Sequence, residues 1–332
     1  MSVSAITPPK PLAFSLLRLM ADGEFHSGEV LARQLGVSRA SVNNALRDVE
    51  QYGLTMYGVR GRGYRLIEPP VWLDAGLVRA ALKTPEIFHI EIVESATSSN
   101  SMLLQRAVQG LPSGSVLAAE WQSAGRGRLG RPWHSGLGNA LTFSLLWRFE
   151  SGLSALSGLS LAVGIAMMRA LRKSGASTVG LKWPNDILDD QRRKLAGILI
   201  EAQGDMLGPS VVVIGIGLNI KLPPSVSRHI DQPVSALAQV VTELPERNRL
   251  LALLLQELAE MLATFAAQGF APLRTEWENY HVYQNRPVKM LLPDGRQVAG
   301  IVRGVTDEGA LCVETGQGVQ NFNAGEISLR EA

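Results

Sequence analysis

The sequence predicts an α+β protein of several domains: a winged helix-turn-helix at the N-terminus, a larger α+β domain in the middle and an SH3-like β-barrel at the end. Three observations predict it. At 332 residues the chain exceeds what one hydrophobic core usually serves. Helical apolar periodicity near the N-terminus gives way to a short basic hairpin, and then to strand-like runs mixed with longer helical ones. From residue 288 onward, short strand-like runs are split by turn sequences.

Taken in order, residues 12–20 carry apolar side chains at helical spacing. Ser27 can cap a second short helix that runs to about Leu35, and Gly36 then turns the chain. Ser38 can cap a third helix, in which Val42, Ala45, Leu46 and Val49 fall at i, i+3, i+4 and i+7 as one buried stripe. Asn43, Asn44 and Arg47 lie off that stripe. With Arg39 and Ser41 they are the candidates for reading base edges in a DNA major groove. Residues 54–59 and 64–66 form a hairpin around Arg60-Gly61-Arg62-Gly63, a wing whose Arg60 and Arg62 can lie against phosphates. Two helices alone also suit a small protein-interaction module; the wing favours DNA. Residues 1–66 carry a net charge of +3 and the remainder sums to −1, so the basic surplus sits in this unit. Pro69-Pro70 closes it. The expected domains are residues 1–68, 69–284 and 285–332.

In the middle domain residues 116–121, 140–147, 196–201 and 211–216 read as strands, and residues 156–172 and 247–265 as helices. The last domain has turns at Pro293-Asp294-Gly295, Asp307-Glu308-Gly309 and Gly316-Gln317-Gly318. The single cysteine, Cys312, excludes an internal disulfide framework and reads as a core residue in a reducing, cytoplasmic setting. The apolar residues 12–20 are too short and interrupted for a signal peptide. No run approaches the roughly 18 apolar residues of a membrane span, so no membrane partner is expected. Only the first ten or so residues look loose.

Three motifs carry chemistry. Gly125, Gly127 and Gly130 match a dinucleotide-binding glycine pattern, yet Arg131-Pro132-Trp133 follows where a helix should open, and no Gly-Lys-Ser/Thr marks a phosphate-binding loop. The segment from Gly125 through Arg126, Gly127, Arg128 and Gly130 to Arg131 suits instead a loop that orders around an anion, with exposed backbone N–H groups and arginine forks. A solvated basic loop or an RNA contact is the alternative for that segment alone. The second motif is Lys182-Trp183-Pro184-Asn185-Asp186, followed by Lys194-Leu195-Ala196-Gly197-Ile198-Leu199, where Lys194 begins a strand and can face a cleft. Beside Arg192 and Arg193, a plain surface lysine is the other reading. Third, Gly215-Ile216-Gly217-Leu218-Asn219 ends an apolar strand with two glycines, as a backbone closely approached by a ligand would.

Together these motifs resemble the biotin protein ligases, specifically the bifunctional group that also represses the biotin operon. The resemblance spans the helix-turn-helix and wing, the three core motifs, and Asn285-Arg286-Pro287-Val288 with Gly325-Glu326-Ile327-Ser328-Leu329 at the end. It implies a central domain like that of class II aminoacyl-tRNA synthetases. It also implies that Ser98, Ser99 and Asn100 line a biotin pocket; Ser99 departs from the family's threonine, keeping the hydroxyl but losing a methyl. Gln122, Gly125, Arg126, Gly127, Arg128, Lys194, Gly197, Leu199 and Gly215 are implied to contact biotin or its adenylate. Arg131, Trp133, Lys182, Asn185, Asp186 and Asn219 are implied on the ATP side. Arg128, Lys182 and Lys194 carry the catalytic role. The implied reaction joins biotin to ATP, giving biotinyl-5′-AMP, and transfers biotin to a lysine of a biotin carboxyl carrier protein. Mg²⁺ comes with the ATP phosphates, and Asp186 is its candidate protein contact. The adenylate also serves as co-repressor, with operator DNA bound by a homodimer. The rivals are a lipoate ligase, a ligand-sensing transcription factor without catalysis, and an RNA-binding protein; the last leaves residues 182–186 unexplained.

Overall fold

The computed structural model describes residues 8–292, 294–324 and 328–331. Pro293 of the first barrel turn and Gly325, Glu326 and Ile327 of the C-terminal motif lie outside them, as do residues 1–7 and 332.

Three helices, α1 (Pro11–Leu19), α2 (Gly28–Leu35) and α3 (Arg39–Leu46), precede the hairpin β1 (Met56–Val59) and β2 (Gly63–Leu66). The caps form as expected: Ser27 Oγ accepts from Val30 N and Ser38 Oγ from Ser41 N, each at 3.1 Å. Gly36 ends α2 in the left-handed region. The stripe of Val42, Ala45, Leu46 and Val49 is buried, but α3 stops at Leu46 and Val49 opens a separate 3-10 turn to Tyr52. That turn redirects the chain into the wing. Gly63 has φ +103°, and a side chain there would meet the His26 carbonyl, so only glycine permits the two His26–Tyr64 backbone bonds of 2.9 Å.

After α4 (Ala75–Ala81), the central domain runs β3 (His89–Ala96), α5 (Ser99–Ala107), β4 (Ser115–Gln122), β5 (Ala140–Phe149), α6 (Leu159–Lys173), β6 (Gly180–Lys182), β7 (Asp186–Leu188), β8 (Lys194–Gly204), β9 (Ser210–Asn219), α7 (Pro224–Ser227), α8 (Arg247–Gln268) and α9 (Arg274–Tyr280). The seven strands lie in the order β3-β4-β5-β9-β8-β7-β6; β3 and β4 are parallel and the other neighbours antiparallel. Alternation along β4 sends Val116 and Ala118 into the main core under α6 and α8, and Leu117 toward α5 on the other face. By length and composition alone α8 could cross a membrane. Here it is a core helix: Leu250, Leu251, Leu254, Leu255, Leu258 and Leu262 are all buried.

The C-terminal strands β10 (Pro287–Leu291), β11 (Gln297–Val305), β12 (Leu311–Thr315), β13 (Gly318–Phe322) and β14 (Ser328–Glu331) make an antiparallel sheet in the order β13-β12-β11-β10-β14. Its apolar residues Val288, Met290, Val302, Val313 and Leu329 join the central core.

The N-terminal helices are likewise anchored. Trp121 and Leu137 of the central domain complete their core, Leu137 N donates to Tyr52 O at 2.7 Å, and Asn139 Nδ2 donates to Gly53 O at 3.1 Å. Beyond Pro69-Pro70 the linker is held by a buried ion pair. Glu120 accepts from Leu73 N at 2.6 Å, and Arg247 Nη1 reaches both Glu120 (2.9 Å) and Val71 O (2.5 Å).

Candidate active site

A cavity of about 110 Å³ opens where the ends of β4, β8 and β9 meet the glycine-arginine loop, the β6–β7 hairpin and β14. One wall is polar and neutral. Ser98 Oγ caps α5 by accepting from Ser101 N at 3.5 Å, and Ser99 N donates to Gln122 Oε1 at 2.7 Å. Buried Ser144 Oγ lies 2.7 Å from Ser99 Oγ and 2.5 Å from Asn100 Oδ1, while Asn100 Nδ2 donates to Leu199 O at 3.3 Å.

The floor is made of paired glycines. Gly197 on β8 sits opposite Gly217 on β9, and Leu199 opposite Gly215. A Cβ on Gly215 would lie 2.2 Å from Asn100 Oδ1, and one on Gly217 2.4 Å from the Trp133 ring. Both neighbours can sit where they do because no side chain is there. Lys194 Nζ stands 5.9 Å from the centroid of that ring.

The opposite wall is cationic. Lys182 and Asp186 pair directly across the β6–β7 hairpin, with Trp183, Pro184 and Asn185 at its tip, so the five-residue spacing is that of a tight turn which turns both charges to one side. Asp186 is ion-paired with Lys194 at 2.7 Å. Asn185 donates to Ile198 O at 2.7 Å and accepts from Arg128 Nη1 at 3.2 Å; Arg128 Nη2 also donates to Ala324 O. Burial pushes the Lys182 ammonium down from its ordinary range, opposed by Asp186, with Arg330, Lys194 and Arg131 pushing the same way as burial. Burial lowers Arg128 too, again opposed by Asp186. Among the described lining residues Arg128, Arg131, Lys182, Lys194 and Arg330 thus face one carboxylate, Asp186. A site built this way offsets the charge of a polyanion and can bring a second anion beside it.

The structure brings together Ser98, Ser99, Asn100, Gln122, Arg126, Gly127, Arg128, Arg131, Trp133, Lys182, Asn185, Asp186, Lys194, Gly197, Leu199 and Gly215 around this cavity. Two sequence candidates stand outside the lining. Gly125 lies behind it, accepting from Trp133 N at 2.8 Å through its carbonyl. Asn219 is buried and gives its amide to Ser235 O at 3.0 Å, which ties down the end of β9. Arg126 lines the cavity, but its charge is met by Glu201 at 3.0 Å, so it adds little to the cation cluster. Sequence reasoning missed Thr142, Phe143, Gln232 and Arg330, and quoted Trp183 without a role. Arg330 comes from the last strand and carries no local signal of its place.

On the N-terminal domain α3 exposes Arg39, Asn43 and Asn44, and Arg47 is exposed just past its end, as expected. Asn43 Oδ1 accepts from Tyr64 OH at 3.3 Å and so joins helix to wing, whereas Ser41 Oγ lies 2.9 Å from Ser38 Oγ and belongs to the helix cap. Arg60 and Arg62 are exposed at the wing tip, Arg62 stacked 4.2 Å above Phe25.

Residues 92–219 match the Biotin/lipoate A/B protein ligase family, residues 284–330 the Biotin protein ligase C terminal domain, and residues 13–65 the HTH domain. The chain is 40% identical to the bifunctional ligase/repressor BirA of Escherichia coli, across 96% of this chain and 97% of that protein. It is 30% identical to BirA of Bacillus subtilis, across 93% and 95%. Among solved structures, a biotin protein ligase from Aquifex aeolicus in complex with biotin and ATP superposes with a TM-score of 0.62 at 27% identity, covering 73% of this chain and 98% of that one. With the helix-turn-helix, the ligase core and the C-terminal domain all present in one chain, the protein belongs to the BirA family of bifunctional ligase/repressors.

Proposed function

We propose that the chain forms biotinyl-5′-AMP in this cleft, passes biotin to a lysine of a biotin carboxyl carrier protein, and uses the same adenylate to switch its N-terminal domain to operator binding. The chain is an ATP-dependent biotin protein ligase and a DNA-binding repressor. The observation that carries the reading is a single cleft with a neutral polar wall on one side and a cation cluster on the other. In the first step the biotin carboxylate attacks the α-phosphorus of ATP and pyrophosphate leaves. In the second, the acceptor amine attacks the activated carbonyl and AMP leaves. No nucleophilic side chain is needed. Two anions must approach, and Arg128, Arg131, Lys182 and Lys194 offset their repulsion from fixed positions. Ser98, Ser99, Asn100, Gln122 and the glycine floor take the biotin side; Trp133, Lys182, Asn185 and Asp186 take the nucleotide side.

Among the described residues no group of three or more His, Cys, Asp or Glu could hold a metal, and Asp186 is already paired with Lys194. Mg²⁺ would come with the ATP phosphates, with Asp186 as its one protein contact. Arg39, Asn43, Asn44 and Arg47 read the operator and Arg60 and Arg62 hold phosphates, two winged domains acting together in an adenylate-bound homodimer. Domain limits at residues 68 and 284, a cytoplasmic location and the absence of a membrane partner belong to the same reading.

The test is incubation with biotin, Mg-ATP and a carrier domain, with and without its target lysine. One added biotin, dependent on ATP and on that lysine, is the expected result by mass spectrometry. A folded protein that leaves the acceptor unlabelled would leave only the sensor-repressor role, to be sought by adenylate-dependent gel shift.

A further inference from the structure

Glu201 lies outside the cavity lining, two residues along β8 from Leu199 and therefore on the same face of the strand. Its carboxylate accepts from Asn100 Nδ2 at 2.9 Å and from Arg126 Nη2 at 3.0 and 3.2 Å; the same Nη2 donates to Ser101 Oγ at 2.9 Å. The glycine-arginine loop is closed on itself by short backbone bonds, Gly127 N to Arg131 O at 2.7 Å and Trp133 N to Gly125 O at 2.8 Å. From within the loop, Arg126 and Arg128 tie it to the rest of the molecule. Arg128 reaches Asn185 and Ala324 on one side, and Arg126 reaches Glu201 and Ser101 on the other. With three glycines in seven residues, a loop of this composition holds one conformation only where something outside it does so.

We infer that Glu201 is a positioning residue that latches this loop across the cleft through Arg126, and thereby sets how long the activated intermediate is retained. The retention half of the inference rests on the ligase reading above; the latch itself does not. Glu201 has a second effect on the same site. By taking the Asn100 amide it leaves Oδ1 toward Ser144, against the gap left by Gly215, which fixes the neutral wall. An anhydride hydrolyses when water reaches it, so a tethered loop protects it as well as positioning charge.

The test uses the full chain. Trypsin cuts after Arg126 and Arg128, whereas Pro132 shields the bond after Arg131. In the ligand-free protein Glu201→Gln is expected to be cut at those two bonds roughly fivefold faster, the scale of a partly exposed ion pair, with the melting temperature held. Biotinyl-adenylate is then released faster and KM for biotin rises, while kcat for adenylate formation is held. Glu201→Asp, which keeps the charge, restores part of the protection. Arg126→Gln removes the first cleavage site, so its effect is read at the Arg128 bond and in adenylate release, and adding Glu201→Gln to it produces no further loss in either, because the two changes remove one interaction. Unchanged cleavage and release, or additive losses in the double variant, would overturn the latch. So would a lowered melting temperature with cuts spread along the chain, which assigns Glu201 to folding. Faster cutting at Arg126 and Arg128 in a protein that makes no adenylate would uphold the latch and remove the ligase reading instead.

Discussion

Lys182 is a half-buried cation of the cluster, and burial is the first cause of its lowered pKa, with Asp186 working against it. A depressed ammonium is charged only below its folded pKa, so its loss comes at lower pH than the ordinary lysine value of about 10.4. Adenylate formation should therefore fall on the alkaline side before an exposed lysine would deprotonate. Lys182→Arg keeps its charge throughout that range and should remove the alkaline limb, whatever it costs in geometry. A limb unchanged in Lys182→Arg would assign it to another group. Lys182→Met, losing one charge-assisted contact, should lower kcat/KM for adenylation by roughly 10- to 150-fold, about 1.5 to 3 kcal/mol. Side chains such as Lys182 were legible because the hairpin that sets their geometry is local: Lys182 and Asp186 are partners in a turn written by five consecutive residues. Arg330 and Gln232 were not, because only the packing of distant segments brings them to the cavity. Asn219 misled for the converse reason. It shares a strand face with the glycine pair that floors the cleft, but it stands at the end of β9, where its amide is taken by Ser235 O.

At the scale of elements, the glycine floor of β8 and β9 determines where Trp133 can lie. A methyl group at residue 217 would stand 2.4 Å from the indole, so Gly217→Ala must displace the ring. Overpacking of this kind costs about 1 to 3 kcal/mol. The displaced group borders the cleft, so the loss should appear in binding of a non-reacting ATP analogue, followed by titration calorimetry, more than in melting temperature. Affinity equal to the parent's would separate Trp133 from nucleotide binding. The longer elements were legible, β5 and β9 as apolar runs buried on both faces and α6 and α8 as longer helical stretches, because burial forces their composition. Shorter ones were not: β6 and β7 have three residues each, too few to show alternation, and they exist because β8 offers a partner edge. The end of α3 was misplaced for a related reason. Val49 keeps the helical stripe while the backbone around it has already tightened into a 3-10 turn.

Over the whole molecule, the contacts between domains decide which properties move together. His281, at the end of α9, is buried against Trp277 and Tyr283, and its backbone runs alongside Leu181 of β6. Burial drives its pKa down to about 3, so the folded protein keeps it neutral. Between that value and the unfolded value of about 6.5, the unfolded chain binds one more proton. Stability from this group is therefore full above about 6.5 and falls by about 1.4 kcal/mol per unit as pH drops below it. Denaturant titrations at pH 7 and pH 5 should show this loss in the parent and much less in His281→Gln; equal losses would clear His281 of the effect. The N-terminal domain depends on a different joint. Asn139 Nδ2 bonds Gly53 O and Leu137 O, and its own carbonyl accepts from Ile220 and Lys221 N at 2.9 Å, just past the end of β9. The same residue thus touches the turn after α3 and the strand that floors the cleft. Asn139→Ala deletes the side-chain bonds but keeps the backbone ones, leaving the Gly53 and Leu137 carbonyls without that donor at a cost of about 1 to 3 kcal/mol. That cost falls on the docked orientation of the winged domain, not on the cleft. Adenylate formation should stay near the parent rate while operator affinity falls roughly 5- to 150-fold, measured by gel shift at saturating biotin and ATP. If both activities fall in step, the joint is part of the catalytic fold; if neither moves, the winged domain is oriented by the linker ion pair of Glu120 and Arg247 alone.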